Sequence, residues 1–317
     1  MLQRLPCVVV ARLASVHKNF LSAWQQLRAL GPAARWEPPS EEDRAALATL
    51  APLARAACVG DDAAVTRLLD SGVDVHANRD RALRRAARFG HYSVVALLLA
   101  AGADVHACND AALRLAARNG NSSIAAQLLA AGADVRAVSD EALSLAAEGG
   151  HDSIVAQLLA AGADVHAEDE DALHMASKNG QTSTVALLLA AGADVHALSD
   201  YALQAAADVG HSSVIGHLLA AGADVHADND FSLRVAVQNG HDSVIEQLLA
   251  AGANVHAKND RSLRLATYHG HGAIVAQLLA AGADVHAKND EALHLAVQRG
   301  HDSIAQLLLA AGAVARP

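Results

Sequence analysis

Histidine is the residue whose type and spacing first point to chemistry in this chain of 317 residues. An imidazole can bind a metal ion or exchange a proton near neutral pH. The histidines form two series with a common period of 30 residues. The first series is His76, His106, His166, His196, His226, His256 and His286, and the second is His91, His151, His211, His241, His271 and His301.

The spacing of these histidines argues against a metal centre. A zinc site needs three or four ligands about 2.0–2.3 Å from one ion, whereas packed helical units lie about 8–10 Å apart. We therefore predict neither a metal nor another cofactor, and we interpret the imidazoles as hydrogen-bonded to turn backbone. Charging the seven histidines of the first series below about pH 6.5 should add mild repulsion.

Catalytic motifs are absent from the sequence. The chain has no H-E-x-x-H, no G-x-x-x-x-G-K, no G-x-G-x-x-G and no G-x-S-x-G. Acidic residues are frequent, but they recur at the same places in every copy of the 30-residue unit. A catalytic pair should break such a pattern once, so we predict that the protein is not an enzyme.

A strict internal repeat must position all of these residues. Nine copies follow one another from about residue 50 without an insertion or deletion. Leucine marks one column at Leu53, Leu83, Leu113, Leu143, Leu173, Leu203, Leu233, Leu263 and Leu293. Glycine marks another at Gly60, Gly90, Gly120, Gly150, Gly180, Gly210, Gly240, Gly270 and Gly300. Because loops tolerate length changes cheaply, the unbroken period indicates that every copy stacks in the same way.

Residues 281–310 illustrate the first helix of a unit. Asp290 and its equivalents suit the N-cap of this helix. Leu293 and Ala296, three residues apart, lie on one face, and the small alanine allows a neighbouring helix to approach closely. Gly300 ends the helix by adopting a left-handed backbone.

The second helix of a unit should begin at a serine cap, as at Ser93, and carry an apolar stripe of Val94, Val95, Leu98 and Leu99. The Asp-Val-His-Ala segment after it reads as an extended turn. Neither helix exceeds about 8–10 residues, which is marginal in isolation. Stacking must stabilise them, so we predict one elongated helical solenoid.

The repeated pattern A-L-x-L-A-x-x-G-H-x-x-I-V-x-x-L-L-x-x-G-A-D-V resembles the ankyrin repeat over residues 50–317. The resemblance implies an all-α, ankyrin-type α-solenoid of about nine stacked helix-turn-helix repeats with short turns. The family's usual repeat has about 33 residues and carries T-P-L-H. Here the segment from Asp-Val-His-Ala to the next Ala-Leu is shorter, and Thr-Pro is replaced. We therefore expect the projecting hairpins to be short.

Composition agrees with a non-enzymatic repeat array. The chain is 52% hydrophobic and 3% aromatic with a net charge of −10, which argues against a nucleic-acid partner. Its three cysteines, Cys7, Cys58 and Cys108, are too scattered for a disulfide framework and favour a reducing compartment. No apolar run reaches the roughly 20 residues that span a membrane. We predict a cytoplasmic protein, with the nucleus also open.

Residues 1–40 differ from the array, and we divide the chain into a helical segment 1–40 and repeats 41–317. The run LQRLPCVVVARLASVHKNF is similar, without gaps, to the middle and later part of an F-box, on the residues Leu2, Leu5, Pro6, Val10, Leu13, Val16, Lys18 and Phe20. The opening helix of that family is missing before Met1. A basic targeting presequence and an amphipathic cap on the first repeat are alternative interpretations.

The last repeat keeps the ordinary pattern of apolar residues, including Leu307 and Leu309, and the sequence then stops at Pro317. We expect leucine-rich surface to be exposed there. Fraying, dimerisation or a longer natural chain would each account for such a surface.

Three column groups vary between copies: the turn residue, the residue before Ala-Leu, and the last pair of the first helix. The resemblance implies that these columns line a concave, partner-facing surface. Four of the five aromatic residues after residue 50 lie in them, and aromatic and arginine side chains dominate interface energetics. The predicted partner-binding residues are Arg88, Phe89, Arg118, Lys178, Tyr201, Asp208, Phe231, Gln238, Arg261, Tyr268 and His269.

Within that set, Tyr201, Phe231, Arg261 and Tyr268 form the favoured contact patch, although drift at tolerant surface positions would also place aromatics there. We predict a protein-interaction scaffold with an unidentified protein partner. The alternative is an F-box-type substrate adaptor of a ubiquitin ligase, docking a ligase core subunit through residues 1–36. A purely structural spacer is a third hypothesis.

Overall fold

A computed structural model of the chain describes residues 51–314. The three interpretations of the N-terminal segment, and the predicted boundary at residue 40, lie outside the described residues. The chain separates into two compact units between Asp104 and Val105. Every regular element described in either unit is an α-helix.

The described part of the first unit holds four helices: α1 (Pro52–Val59), α2 (Asp62–Asp70), α3 (Ala77–Phe89) and α4 (Tyr92–Ala100).

The second unit holds fourteen helices in its described part: α5 (Ala107–Arg118), α6 (Ser122–Ala130), α7 (Ala137–Glu148), α8 (Asp152–Ala160), α9 (Ala167–Lys178), α10 (Thr182–Ala190), α11 (Ala197–Val209), α12 (Ser212–Ala220), α13 (Ala227–Asn239), α14 (Asp242–Ala250), α15 (Ala257–His269), α16 (Gly272–Ala280), α17 (Ala287–Arg299) and α18 (Asp302–Ala310). Odd-numbered helices are the first helices of their repeats and even-numbered helices are the second.

From α3 onward, each first helix starts with a left-handed turn of three residues. In α13 these are Asp228, Asn229 and Asp230, with φ angles of 50°, 58° and 57°. L-residues reach this conformation at a cost, which is smallest for asparagine and aspartate. The right-handed helix therefore begins at Phe231, directly after the aspartate, where the sequence predicted it.

The role predicted for that aspartate is wrong. Asp230 is buried, and its carboxylate accepts hydrogen bonds from the backbone N–H of Asn254 at 2.6 Å and from His226 Nδ1 at 3.0 Å. It ties its own turn to the turn 24 residues later instead of capping its own helix. The same inter-repeat bond forms at Asp80, Asp110, Asp140, Asp200, Asp260 and Asp290.

The predicted serine caps are also wrong. Helix α4 begins at Tyr92, with His91 at the N-cap and no side-chain cap bond, so Ser93 already lies inside the helix. The Ser93 hydroxyl donates instead to the carboxylate of Asp62, at 2.7 Å. The N-caps of second helices thus lie two residues earlier than predicted, because the column of His91 takes the cap position.

Histidines of the second series join successive first helices. His241 Nε2 donates to the carbonyl oxygen of Asp208, 33 residues earlier, at 2.9 Å. The ring lies against Gly210, which ends α11 with a φ of 92°, and a Cβ there would stand 2.6 Å from His241 Nδ1. Equivalent bonds are made by His91, His151, His211 and His271. Backbone bonding is therefore confirmed for these five histidines of the series, and so is the left-handed glycine.

The core follows the repeat. Leu203 and Ala206 of α11, and Val214 and Leu218 of α12, are fully buried. Within the second unit, consecutive first helices pack together and each pairs with its own second helix. No strand occurs in residues 51–314, which confirms short turns in place of long hairpins.

The last described repeat exposes apolar side chains, as expected. Leu307 is 39% exposed and Leu309 is 48% exposed. Val297 is 66% exposed, whereas the equivalent Val237 is buried between repeats.

Candidate protein-interaction face

The outward face of the first helices carries the predicted binding residues. Positions spaced by four and seven residues, such as Phe231, Val235 and Gln238, share one side of a helix. Phe231 and Gln238 are exposed and Val235 is half-buried between them. All eleven predicted binding residues are exposed: Arg88, Phe89, Arg118, Lys178, Tyr201, Asp208, Phe231, Gln238, Arg261, Tyr268 and His269.

In the first unit, Arg88 and Phe89 form a small exposed pair at the end of α3. The guanidinium carbon lies 5.4 Å from the centre of the phenyl ring. A cation at this distance from an aromatic ring is attracted by its quadrupole. The pair therefore presents an aromatic surface beside a positive charge.

Three residues of the favoured patch occupy the same register of consecutive helices: Tyr201 on α11, Phe231 on α13 and Arg261 on α15. The Tyr201 ring packs edge-on against His174, with ring centres 5.1 Å apart. We call Tyr201, Phe231, Arg261 and Tyr268 the aromatic patch. Its aromatic rings are 38–44% exposed.

Tyr268 lies two helical turns beyond Arg261 on α15, and its surroundings differ. The Arg299 guanidinium from the next repeat lies over its ring, at 3.6 Å from the centre. His269 stacks on His271 at 5.8 Å. Burial, then the neighbouring imidazole of His271, then Arg299, lower the pKa of His269. This end of the patch is a cluster of rings beside a positive charge.

Sequence reasoning missed a column whose side chains donate to carbonyl oxygens of the left-handed turns, at Arg84, Arg114, Gln204, Arg234 and Arg264. Arg234 donates through Nη1 to the carbonyl oxygens of Asp228 and Asn229. Gln204 donates to the carbonyl of Ser199 at 2.7 Å. The signal was present in the sequence, because this column has a side-chain donor in all eight complete turns: Arg84, Arg114, Ser144, His174, Gln204, Arg234, Arg264 and His294.

Arg234 also connects this column to the patch. Its guanidinium lies 5.4 Å from the ring centre of Phe231. Burial and then the positive charge of Arg261 lower the pKa of Arg234, while Asp230 and Asp228 oppose the shift. The guanidinium beside Phe231 therefore also experiences the positive charge of Arg261.

Charge is distributed unevenly along this face in the second unit. Helix α9 and its turn are acidic, with Glu168, Asp169 and Asp171. Helices α13 and α15 are basic on the same side, with Arg234, Arg261 and Arg264. Arg264 is paired with Glu291 at 2.9 Å. The aromatic patch thus lies beside these arginines.

A shallow groove lies elsewhere on the same unit. It is lined by Arg118, Leu145, Glu148, Gly149 and Asn179. Four of these residues belong to the variable columns. Arg118 and Glu148 bring opposite charges to one surface, so the groove favours neither sign strongly.

First-series histidines bond to carboxylates, where the sequence had predicted turn backbone. His166 Nδ1 lies 2.5 Å from Glu170 Oε1. This hydrogen bond, followed by the charge of Glu170, raises the pKa of His166. Where aspartate is the partner, at His76, His106, His196, His226, His256 and His286, the N–O distance is 2.9–3.2 Å. Each imidazole of this series therefore lies next to a carboxylate.

Two further findings cover residues 51–314. No cluster of three or more histidine, cysteine or acidic residues there has the geometry to hold a metal ion. None of the helices is both long enough and apolar enough to cross a membrane.

Comparison with known proteins places the repeats in a family. The family described as "Ankyrin repeats (3 copies)" matches residues 113–199, 143–229, 173–259 and 233–316. "Ankyrin repeats (many copies)" matches residues 83–130. Because these matches cover more than half of the chain, it belongs to the ankyrin repeat family. The helix-turn-helix stack of the second unit is an ankyrin solenoid.

A solved structure agrees with this assignment. The human ASB11 ankyrin repeat domain, a crystal structure, is 28% identical with a TM-score of 0.58. The match covers 65% of this chain and 99% of that domain. No curated protein matches the chain. Ankyrin repeats in general serve protein–protein interaction and not catalysis.

Proposed function

We propose that this chain is a non-enzymatic scaffold that binds a partner protein on the concave face of its ankyrin array. The eleven exposed first-helix residues named above are the proposed contact residues, and the aromatic patch, which lies in the second unit, is the part that we favour. The observation that carries the proposal is where the aromatic side chains lie. All five in residues 51–314 are 38–53% exposed, and four of them lie in columns that the core does not use.

Physical reasons support contact through these rings. An exposed ring gains by burial, at about 25 cal/mol per Å² of apolar surface removed from water. Rings that are already held by neighbours, as Phe231 is by Arg234, lose little side-chain entropy on binding. Aromatic and arginine side chains of this kind are the usual anchors of protein interfaces.

The test compares two matched tyrosines. Tyr268 is 41% exposed on a first helix and Tyr92 is 53% exposed on a second helix. Partner proteins are captured from the source cells with the wild type, Phe231→Ala, Tyr268→Ala and Tyr92→Ala chains, and quantified by mass spectrometry.

We expect the first-helix variants to lose the same partners by about tenfold in affinity, while Tyr92→Ala keeps them. Equal retention by all three variants would contradict binding through the first-helix face. Loss in Tyr92→Ala alone would move the binding surface to the second helices.

The second candidate function is a substrate adaptor of a ubiquitin ligase. It depends on the sequence of residues 1–36, in particular Leu5-Pro6 and the Val16-x-Lys18-x-Phe20 run, whereas the family matches lie within residues 83–316. The paired variant Leu5→Ala/Pro6→Ala, made in the full chain, should lose a ligase core subunit and keep other partners. If the wild type captures no such subunit, the adaptor hypothesis is rejected.

A further inference from the structure

The aromatic patch has a spacing that selects the conformation of a bound segment. Tyr201, Phe231 and Arg261 stand at one register on three consecutive first helices. Packed helices lie about 8–10 Å apart. A polyproline II segment has three residues per turn and a rise of about 3.1 Å, so its side chains return to one side about every 9 Å. Every third side chain of such a segment meets the next repeat.

The chemistry along this line changes in a fixed order. Tyr201 is 44% exposed and Phe231 is 38% exposed, so both offer apolar ring surface. Arg261 is exposed and charged. Asp171 precedes Tyr201 in the same register, on α9. The line therefore runs from acid through two aromatics to a base. Glu291 follows at the same register on α17, and its carboxylate is paired with Arg264 at 2.9 Å.

The charges around Arg234 and Arg261 favour an added carboxylate. Arg234 is buried beside Phe231 and close enough to Arg261 to feel its charge. The acidic groups near Arg234 are already engaged. Asp230 accepts from the Asn254 backbone, and Asp228 accepts from the Gln204 amide at 3.2 Å. An incoming carboxylate would relieve the guanidinium repulsion through charge-assisted hydrogen bonds.

We propose that this face recognises an extended, acidic segment of a partner protein with the spacing apolar-x-x-apolar-x-x-acidic. The two apolar side chains contact Tyr201 and Phe231, and the carboxylate contacts Arg261. A basic side chain three residues before the first apolar one would meet Asp171. This inference deepens the proposed function and rests on it.

The test is a selection of random twelve-residue peptides on the full chain, followed by fluorescence anisotropy with the best peptide. We expect the selected peptides to share an acidic residue three places from an apolar one. Replacing that acidic residue by its amide, or making Arg261→Ala, should weaken binding by about tenfold, and the two changes together should cost no more than either alone. Affinity should also fall as salt is raised.

Arg67→Ala is the matched control, because Arg67 is an exposed arginine on a second helix. It removes the same charge from the chain and should leave the affinity unchanged. A loss equal to that of Arg261→Ala would overturn the inference, since net charge would then account for binding. Equal affinity for a single-stranded oligonucleotide, abolished by Arg261→Ala, would overturn it in favour of a nucleic-acid ligand.

Failure of this inference can be distinguished from failure of the scaffold function. Peptides that bind through Phe231, shown by loss in Phe231→Ala, but lack the acidic residue or the three-residue spacing overturn this inference and leave the scaffold function standing. Selection of no peptide sensitive to either Phe231→Ala or Arg261→Ala overturns it as well. In that case the capture of partners by the Phe231→Ala chain decides separately whether the scaffold function survives.

Discussion

The two sides of each first helix carry opposite kinds of sequence. On the stacking side, Leu203 and Ala206 of α11 have identical counterparts in the next repeat, Leu233 and Ala236, and all four are fully buried. On the outward side, Tyr201 gives way to Phe231 and then to Arg261, and all three are exposed. The difference shows that packing and recognition are separated by helix face. Substitutions on the stacking side should therefore change stability and hardly change partner binding. Substitutions on the outward side should change partner binding and hardly change stability.

The largest expected effect is on the stacking side. Leu203→Ala should lower the free energy of unfolding by about 2–5 kcal/mol, because it removes buried methyl groups and leaves a cavity. Leu198 is the matched control, since it is 58% exposed on the turn of the same helix. Leu198→Ala should change stability by no more than about 0.5 kcal/mol. Urea unfolding measures both, and similar losses would contradict the assigned faces.

A second contrast separates backbone strain from steric contact. Gly210 and Gly222 have φ angles of 92° and 98°. A Cβ at Gly210 would stand 2.6 Å from His241 Nδ1, whereas a Cβ at Gly222 would meet nothing within 4 Å. Both alanine variants should lose about 1–2 kcal/mol of stability from the left-handed backbone. Gly210→Ala should lose about 1–3 kcal/mol more from overpacking.

The matching check uses the imidazole itself. Adding His241→Ala to Gly210→Ala should recover part of the extra loss in a double-mutant cycle of urea unfolding. Additive losses of stability would show that the imidazole does not clash with the methyl group added at Gly210.

The inter-repeat aspartates should give a smaller effect. Asp230→Ala leaves the Asn254 backbone N–H without the acceptor that it has at 2.6 Å, which should cost about 1–3 kcal/mol of stability. Asp230→Asn is the matched variant, because its amide oxygen can still accept and asparagine tolerates the left-handed backbone. Thermal unfolding should rank the wild type and the asparagine variant above the alanine variant. If the two variants lose equally, the bond is not the reason for the aspartate.

The smallest expected effect concerns pH. Glu170 raises the pKa of His166 in the folded chain, through a hydrogen bond and then through its charge, with Asp164 and Asp194 adding in the same direction. The stability from this pair is therefore fully present below the unfolded pKa near 6.5 and is lost as pH rises through the higher folded value. The pair should thus oppose the mild repulsion expected from the row of imidazoles.

Thermal unfolding between pH 8 and pH 5.5 measures this contribution. The wild type should gain melting temperature on acidification relative to Glu170→Gln, which removes the charge and keeps the side-chain shape. If the variant gains as much as the wild type, the pair does not contribute, and a loss in both would favour repulsion along the row.

Much of the fold was predictable because it follows from spacing alone. A three-residue interval such as Leu203 to Ala206 defines a helix face. A glycine that recurs at the end of each helical pattern, such as Gly210, indicates a left-handed backbone. Both predictions are confirmed by burial and by φ angles.

The errors share a physical cause. Asp230 and Ser93 were given local capping roles, since these residue types usually bond to their own helix. In the folded chain Asp230 reaches 24 residues ahead and Ser93 reaches 31 residues back. Spacing within one unit cannot show which neighbouring repeat offers the better partner. The donor column of Arg234 was overlooked because its residue types differ, although all of them can donate.

For the candidate binding site, the sequence predicted only which side chains are exposed. Variation between copies placed Tyr201 and Phe231 on the surface, and the structure shows both exposed on one register. The position of Arg299 over the Tyr268 ring was not predictable, because it depends on side-chain conformations that cross from one repeat to the next.

The most direct measurement of the central claim is site-specific photo-crosslinking in the source cells. Benzoylphenylalanine is placed at Phe231, on the outward face of α13, or at Ser243, an exposed position on the second helix α14 of the same repeat. A scaffold that binds through its first helices should crosslink a discrete partner from position 231 and not from position 243. Crosslinking from position 243 alone, or equally from both, would contradict it.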